Sequence, residues 1–228
     1  MSFKKLRILR AEFSPDIAGH QIPAFRGAVA AKAGYENDKF HNHEGNNSLK
    51  YRYPLIQFKR IRGQPSLLCI DEGVDEVHHF FNATPWELDL NGKPVNLNLE
   101  KLDVNQYVMQ VWDKFFPYKI RNWIALNQEA YRQFHQLDSE IEQRKMLEKK
   151  LIGNIISMAK GIDWTVEKNI ELRITGNIDW HLVQFKGQTF QGFSLEFETN
   201  VFLPPLLGLG KGVSLGYGTV IPQKNNNQ

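Results

Sequence analysis

The sequence has a single cysteine, no long apolar run and several stretches without acidic residues. Cys69 cannot form a disulfide within the chain, and its apolar neighbours at 67–70 predict that it packs in a core. No apolar run approaches the roughly 18 residues that span a bilayer. The basic start is not followed by the apolar stretch of a signal peptide. We therefore expect a cytoplasmic protein with no membrane segment.

Acidic residues are missing from residues 1–11, 45–70 and 199–228. They crowd residues 71–103 instead, where eight of them meet only Lys93 and Lys101. Although the net charge is a modest +3, such segregation predicts one face that binds a polyanion and another turned away from it. Chance clustering of charges on solvated faces is the alternative.

The first half predicts strands at 3–13, 51–61, 65–70 and 106–112, with helices at 23–31 and 71–82. Arg62-Gly63 indicates a tight turn, and Asn91-Gly92 indicates a hairpin within 86–99. Strand, helix, two strands, helix and strand in this order is the split βαβ arrangement of a ferredoxin-like domain. The 86–99 hairpin would be an insertion before its last strand.

The second half begins near Phe115-Phe116-Pro117-Tyr118, which predicts domains at 1–117 and 118–228. Asn127 is a cap for one long helix that ends at Gly161. Its predicted buried stripe contains Ala130, Phe134, Leu137, Ile141, Leu147, Leu151, Ile155 and Met158. Strands are expected at 168–175, 178–186 and 189–199, which makes this half α+β as well.

A glycine run near the end, residues 208–220, contains five glycines within eleven residues, together with Lys211 and Ser214. Glycine permits positive φ and lets a phosphate approach the main chain, and consecutive amides can hold an anion. The spacing matches neither the mononucleotide P-loop nor the dinucleotide fingerprint. A phosphate-holding loop and a plain glycine-rich hairpin both stay open.

The candidate reactive segment follows the first predicted helix and contains His41 and His43, with Lys50, Tyr51 and Arg52 close by. Histidine titrates near neutrality and serves as general base or acid. Such a set suits RNA cleavage, in which one group takes the 2′-hydroxyl proton and another protonates the departing 5′-oxygen. Metal ligation is the second interpretation, although no third His or Cys stands at ligand spacing and only Glu44 or Asp38 could add a ligand. An inert polar loop is the third.

The run Gly208-Leu-Gly210…Gly216-Tyr-Gly218 resembles the mark of the RAMP superfamily of CRISPR-associated proteins. Four further segments agree, at 53–59, 122–127, 185–187 and 200–204. Together they make nearly the whole chain similar to the repeat-RNA processing endoribonucleases of class 1 CRISPR systems.

This resemblance implies an α+β fold of two tandem ferredoxin-like (RAMP/RRM-like) domains, the second degenerate, with a C-terminal glycine-rich loop. It also implies metal-independent cleavage of CRISPR repeat transcripts, without a cofactor, that leaves a 2′,3′-cyclic phosphate. The implied catalytic residues are His41, His43, Lys50 and Tyr51. Tyr35 and Tyr53 are alternatives to Tyr51, and which histidine is the base stays open.

The implied RNA-binding residues are Arg52, Lys59, Lys186, Gly208, Gly210, Lys211, Gly212, Ser214, Gly216 and Gly218. Lys211 and Ser214 would face phosphates on an RNA-backbone platform. CRISPR repeat RNA is the expected partner of a monomer or homodimer, with effector-complex subunits as further partners. The alternative is a non-catalytic RAMP subunit that binds guide RNA in such a complex.

Overall fold

The computed structural model of the protein describes residues 3–34 and 53–224. The chain forms two compact units. The N-terminal unit contains the described residues of Lys5–Tyr107 together with Ser214–Gly216. The C-terminal unit contains Val108–Val213, the described residues from Tyr217 onward, and Phe3 and Lys4. The boundary predicted at 117 falls within a strand, Val111–Trp123.

The N-terminal unit is built on a four-stranded sheet of β1 (Lys4–Ser14), β2 (Ile56–Ile61), β3 (Gln64–Ile70) and β6 (Asn98–Met109), in the order β2-β3-β1-β6. Its β1 pairs antiparallel with β3, and β2 pairs antiparallel with β3. Counted within the unit this is the strand order 4-1-3-2 of a split βαβ fold, as the sequence predicted. The unit also contains α1 (Ile22–Ala33), α2 (Glu72–Glu76), α3 (His78–Asn82) and the hairpin of β4 (Glu87–Asp89) and β5 (Pro94–Asn96).

Aromatic rings fill the core of the N-terminal unit. Phe13 of β1 lies 5.9 Å from Phe80 between ring centroids, and Phe25 of α1 lies 5.7 Å from Phe58 of β2, both edge to face. The first contact holds α3 against the sheet, and the second holds α1 against it. Cys69 is fully buried in the same core, as predicted.

The C-terminal unit contains the strands β7 (Val111–Trp123), β8 (Leu172–Phe185), β9 (Gln188–Val201) and β10 (Thr219–Pro222). Their order, β10-β7-β9-β8, repeats that of the N-terminal sheet. Between β9 and β10, where a second helix belongs, the described chain has only the short 3₁₀ turn Val213–Leu215, so this copy is degenerate. The unit also contains α4 (Gln128–His135) and α5 (Glu140–Gly161). Within residues 3–34 and 53–224, no helix combines the length and apolarity needed to cross a membrane.

The tight turns lie where the sequence predicts them. Arg62 and Gly63 have φ of 52° and 100° between β2 and β3, and Asn91 and Gly92 have φ of 60° and 80° in the inserted hairpin. Positive φ at both central residues belongs to hairpin turns whose twist matches that of the paired strands. The local residue types were therefore sufficient to predict these turns.

The predicted helix at 71–82 is instead two short helices, α2 and α3. The ring Nδ1 of His78 contacts the carbonyl of Asp75, where a continuous helix would place the amide of residue 79. The amide of Phe80 bonds to Val77 O at 3.1 Å, an i to i+3 bond that tightens the turn. A side chain competing for a backbone carbonyl thus divides the helix.

The predicted helix from Asn127 to Gly161 is also divided, into α4 and α5. Asn127 caps α4 as predicted, and its Oδ1 accepts a bond from Ala130 N at 2.8 Å. Ser139 begins a second helix by accepting a bond from Ile141 N at 3.2 Å. Ile141 is consequently 66% exposed, so its place in the buried stripe was wrong. The stripe is confirmed at Leu147, Leu151, Ile155 and Met158, which are all buried.

Strands β7 and β8 are longer than predicted, because each continues through residues at which the sequence predicts an interruption. Pro117 lies within β7, opposite Glu198 of β9, although the sequence predicts a domain boundary there. The strands predicted at 168–175 and 178–186 form the single strand β8, whose register shifts between Ile174 and Ile178. Arg144 of α5 stabilises this bulge by donating to the carbonyls of Ile174 and Gly176 at 3.2 and 3.0 Å.

Two helical glycines should respond in opposite directions to alanine. A Cβ at Gly153 in α5 meets nothing within 4 Å, whereas a Cβ at Gly73 in α2 would lie 2.6 Å from Leu55 O. We expect Gly153→Ala to raise the free energy of unfolding by about 1 kcal/mol, through the higher helix propensity of alanine. Gly73→Ala should lower it by about 1–3 kcal/mol through overpacking. Urea denaturation of both variants measures this, and a stable Gly73→Ala would contradict the close packing.

Candidate functional site

The predicted catalytic residues His41, His43, Lys50 and Tyr51 lie outside the described residues, as do Arg52 and the alternative Tyr35. In the sequence they stand between the end of α1 at Ala33 and the start of β2 at Ile56. The alternative Tyr53 is described, and its hydroxyl accepts a bond from Gln57 Nε2 at 2.9 Å.

The glycine run folds back on the end of β7. Gly208 forms an isolated bridge with Thr219, and Lys211 forms one with Ile124. Leu209 N donates to Gly218 O at 2.9 Å, and Gly218 N donates to Asn122 O at 3.1 Å. These bonds connect both ends of the run to the sheet of the C-terminal unit.

Two glycines are required here by close backbone approach. A Cβ on Gly218, at φ of 62°, would lie 1.8 Å from Leu209 O. A Cβ on Gly210, at φ of 90°, would lie 2.6 Å from Trp123 Nε1. Positive φ and the absence of space both exclude other side chains. Packing within the protein therefore explains why these two positions are glycine.

Lys211 of the glycine run lies over aromatic rings. Its Nζ is 3.9 Å from the Phe190 ring centroid and 5.5 Å from that of Phe185. Lys186 lies at the β8–β9 turn with φ of 51°, and its Nζ is 5.8 Å from the Phe185 ring. Two of the predicted RNA-binding lysines thus lie beside one aromatic pair.

Ser214 and Gly216 belong to the N-terminal unit. The Oγ of Ser214 accepts a hydrogen bond from Arg26 Nη1 of α1 at 3.4 Å. Burial lowers the pKa of the Arg26 guanidinium from its usual value. Arg26 was not among the predicted site residues. Its position in the helix that precedes the histidine segment was the one sequence signal that could have identified it.

Lys59 of β2 is 2% exposed, which was not expected for a predicted RNA-binding lysine. A Cβ on Gly216 would lie 3.7 Å from Lys59 Cα and 3.2 Å from Phe58 O. Burial lowers the pKa of the Lys59 amine from 10.5 to about 7. The Arg26 guanidinium and the Ser214 hydroxyl are thus neighbours in the N-terminal unit, a combination able to hold a phosphate.

Some of the basic residues near the start are neutralised by acids. Arg7 Nη2 lies 2.6 Å from Asp75 Oδ2 in the acidic segment, and Arg10 Nη2 lies 2.5 Å from Glu12 Oε1. Arg7 and Asp75 are distant in the chain and neighbours in the fold, whereas Arg10 and Glu12 lie two residues apart on β1. The basic face predicted from the sequence does not include these two arginines as free cations.

Four of the described histidines, His78, His79, His135 and His181, make contacts within the fold. His135 Nε2 lies 3.1 Å from Gln191 Oε1, and His181 Nε2 lies 2.9 Å from Asn122 Oδ1. The rings of His78 and His79 lie 4.0 Å apart between centroids. Within residues 3–34 and 53–224, no three His, Cys, Asp or Glu side chains are grouped closely enough to hold a metal ion.

A pocket in the C-terminal unit has a lining that the sequence analysis did not anticipate. Tyr131 and His135 of α4 form one wall, and Trp180 and Leu182 of β8 form another. The i, i+4 spacing of Tyr131 and His135 places both on one helix face, and Trp180 and Leu182 alternate on one strand face. These two periodicities were the available signals.

Two consecutive sheets in the 4-1-3-2 order define a tandem ferredoxin-like protein. The model of the Cas6b N-terminal domain matches residues 4–108, and that of the Cas6b C-terminal domain matches residues 110–223. The chain therefore belongs to the Cas6b family.

Individual relatives agree with this membership. A solved structure described as Cas6b has a TM-score of 0.85 at 29% identity, covering 96% of this chain and 100% of its own. A second, described as the CRISPR RNA processing endoribonuclease Cas6b, has a TM-score of 0.68 at 28% identity, with the same coverage of both chains. An uncharacterized protein of Methanocaldococcus jannaschii is 38% identical over 143 residues, which are 59% of this chain and 96% of that protein.

The buried Lys59 should make stability depend on pH. Because its pKa falls from 10.5 to about 7 on folding, the unfolded chain binds more protons than the folded one between these values, and stability rises with pH across that window. We expect Lys59→Met to be more stable than the wild type at pH 7. Its free energy of unfolding should also rise less between pH 7 and pH 9 than that of the wild type. Urea denaturation at pH 7 and 9 measures the difference.

The matched control is Lys160→Met, at the exposed end of α5. It should keep the wild-type dependence on pH. An unchanged dependence in Lys59→Met would show that Lys59 does not titrate in this range.

Proposed function

We propose that this protein is an endoribonuclease that binds CRISPR repeat transcripts and cleaves them to mature guide RNAs. The observation that carries the proposal is the match to both domains of the Cas6b family, which spans residues 4–108 and 110–223. The similar structure named as a CRISPR RNA processing endoribonuclease supports it, because 96% of this chain is covered at 28% identity.

We infer a metal-independent mechanism carried by His41 and His43. One imidazole removes the proton from a 2′-hydroxyl, and the 2′-oxygen attacks the adjacent phosphorus. The bond from phosphorus to the 5′-oxygen breaks, and the second imidazole protonates that oxygen. The products are a 2′,3′-cyclic phosphate and a 5′-hydroxyl, so atoms and protons balance without a redox partner.

Lys50 and Tyr51 have assisting roles in this proposal. A lysine ammonium beside the phosphate stabilises the charge that develops in the transition state. A tyrosine hydroxyl orients the attacking or departing oxygen by a hydrogen bond. Both residues follow the histidines in the segment that separates α1 from β2.

RNA binding in this proposal uses cations and the glycine run. Lys186 and Lys211 supply charge in the C-terminal unit, and Ser214 lies beside Arg26 in the N-terminal unit. Arg52, Lys59, Gly208, Gly210, Gly212, Gly216 and Gly218 complete the proposed set. Phosphate contacts of this kind bind RNA without reading its sequence.

Removing both histidines should abolish cleavage. General acid–base groups contribute about 10²–10⁴-fold each, so His41→Ala with His43→Ala should reduce single-turnover cutting of repeat RNA by at least about 100-fold and change its Kd only a few-fold. Wild-type cutting should persist in EDTA and stop when the nucleotide before the cut carries 2′-deoxy.

The matched control is the other histidine pair, His78→Ala with His79→Ala on α3, which should cut at the wild-type rate. Cutting that needs Mg²⁺ and tolerates 2′-deoxy would refute the mechanism. Tight repeat binding without any cutting by the wild type would instead favour a non-catalytic subunit that binds guide RNA.

Lys211 should contribute one phosphate contact. Lys211→Gln removes one positive charge, so about one fewer counterion is released when RNA binds. We therefore expect weaker repeat binding and a slope of log K against log salt that is smaller by about 0.7. Lys160→Gln is the control, because it removes the same charge at the end of α5. Fluorescence anisotropy between low and moderate salt measures both slopes. Equal slopes in Lys211→Gln and the wild type would remove Lys211 from the proposed set.

A further inference from the structure

A pocket of about 430 Å³ lies between α4 and the β8–β9 hairpin, wholly within the C-terminal unit. This volume falls in the range of roughly 300–1,000 Å³ that is usual for ligand pockets. Among the described residues, the lining includes none of the glycines of the run. Its lining therefore needs its own explanation.

Aromatic and apolar side chains in this pocket are open to solvent. Trp180 is 61% exposed, Tyr131 is 45% exposed and Leu182 is 69% exposed. The ring of Tyr131 lies 4.4 Å from that of His135 between centroids, which supports it from the helix side. Exposed indole and phenol faces lose contact with water when a flat ring stacks on them, and nucleobases present such rings.

The strand register explains why these residues share one face. Trp180 of β8 lies opposite Phe193 of β9, and Leu182 lies opposite Gln191. The Phe193 ring in turn contacts Phe134 of α4 at 5.7 Å. Helix α4 thus packs over the sheet at Phe193, and the part of the sheet nearer the hairpin tip is left uncovered.

The polar part of the lining consists of neutral hydrogen-bonding groups. Asn127, Gln128, Gln188 and Gln191 contribute amides, and Thr189 contributes a hydroxyl. Among the described residues that line the pocket there is no Asp or Glu. Amides can both donate to and accept from the edges of a base, and the lack of carboxylates in this lining removes repulsion of a polyanion.

A cation stands at the border of the pocket. Phe190 lines it, and Lys211 Nζ lies 3.9 Å from the Phe190 ring centroid. A phosphate that follows a base held in the pocket would lie within reach of this ammonium. The aromatic faces match the faces of a base, the amides match its edges, and the cation matches a phosphate.

We propose that this pocket binds unpaired nucleotides of the RNA, with a base stacked on Trp180 or Tyr131 and its edge bonded to the amides. The identity of the RNA as a CRISPR repeat rests on the function proposed above, but base stacking does not. The pocket is a positioning site: it holds the strand and takes no part in bond cleavage. An apolar peptide would leave the amides unpaired, which disfavours it as the occupant.

The test measures binding of repeat RNA that carries 2′-deoxy before the cut, so that cleavage does not interfere. Losing one stacked base should weaken binding about tenfold in Trp180→Ala, whereas Trp180→Phe should retain most of the affinity because it keeps a ring face. The control is Ile141→Ala, an equally exposed apolar residue on α5. Thermal unfolding of each variant verifies that the fold is intact.

Abasic nucleotides placed in turn along the repeat locate the stacked base. An abasic nucleotide at one or two positions should weaken binding by the wild type. The same abasic nucleotide should cause no further loss in Trp180→Ala, because the stacking contact is already absent. The proposal would be overturned if Trp180→Ala bound the intact repeat as tightly as the wild type. It would also be overturned if, at every abasic position, the loss of affinity simply added to the loss caused by Trp180→Ala.

A second probe separates this inference from the proposed function. Short adenylate and uridylate oligomers of about eight nucleotides should bind the wild type about tenfold more tightly than Trp180→Ala, whether or not the protein cuts any repeat. A wild type that binds these oligomers but cleaves no repeat would refute the nuclease and leave the pocket supported. Equal binding of the oligomers by both proteins would refute the pocket.

Discussion

Trp123 stands at the end of the central strand β7, where sheet, helix and glycine run of the C-terminal unit meet. Its indole donates to Asn154 of α5 at 2.8 Å, and its ring lies 6.2 Å from that of Phe193 in β9. On its other side the backbone of Gly210 comes so close that no Cβ fits. Because one buried side chain holds all three elements, the path of the glycine run, and with it the position of Lys211, depends on this contact.

The two halves of the chain use one strand order for different tasks. The N-terminal copy keeps both helical positions, and the sequence segment between its α1 and β2 contains the histidines. The C-terminal copy replaces its second helix by the glycine run and leaves an aromatic pocket uncovered beside α4. In the proposed function the first copy supplies acid–base groups, and the second supplies cations and stacking surfaces. Such a division suits a substrate that is long, anionic and partly unpaired.

Sequence reasoning was accurate where a few neighbouring residues decide the structure. The turns at Arg62-Gly63 and Asn91-Gly92 and the cap at Asn127 depend on local backbone preferences, and all three are confirmed. It was inaccurate at Pro117, which reads as a break yet lies within β7 because tertiary pairing overrides the local preference. It also merged α4 and α5, although Ser139 is a recognisable cap. The predicted catalytic residues stay predictions, since the structure describes none of them.

The sequence by itself determined the tandem α+β organisation, the period of its strands and the resemblance from which the family was predicted, since these depend on residue order and local conformation. Only the tertiary structure decided which polar groups are neighbours. Arg26 and Ser214 are 188 positions apart and share a hydrogen bond, Arg7 meets Asp75, and Lys59 is buried. No local pattern encodes these outcomes, because burial and charge pairing depend on which distant segments the sheet brings together. The glycine run shows both levels: its spacing marks the family, while packing against Trp123 and Leu209 explains why two of its residues must be glycine.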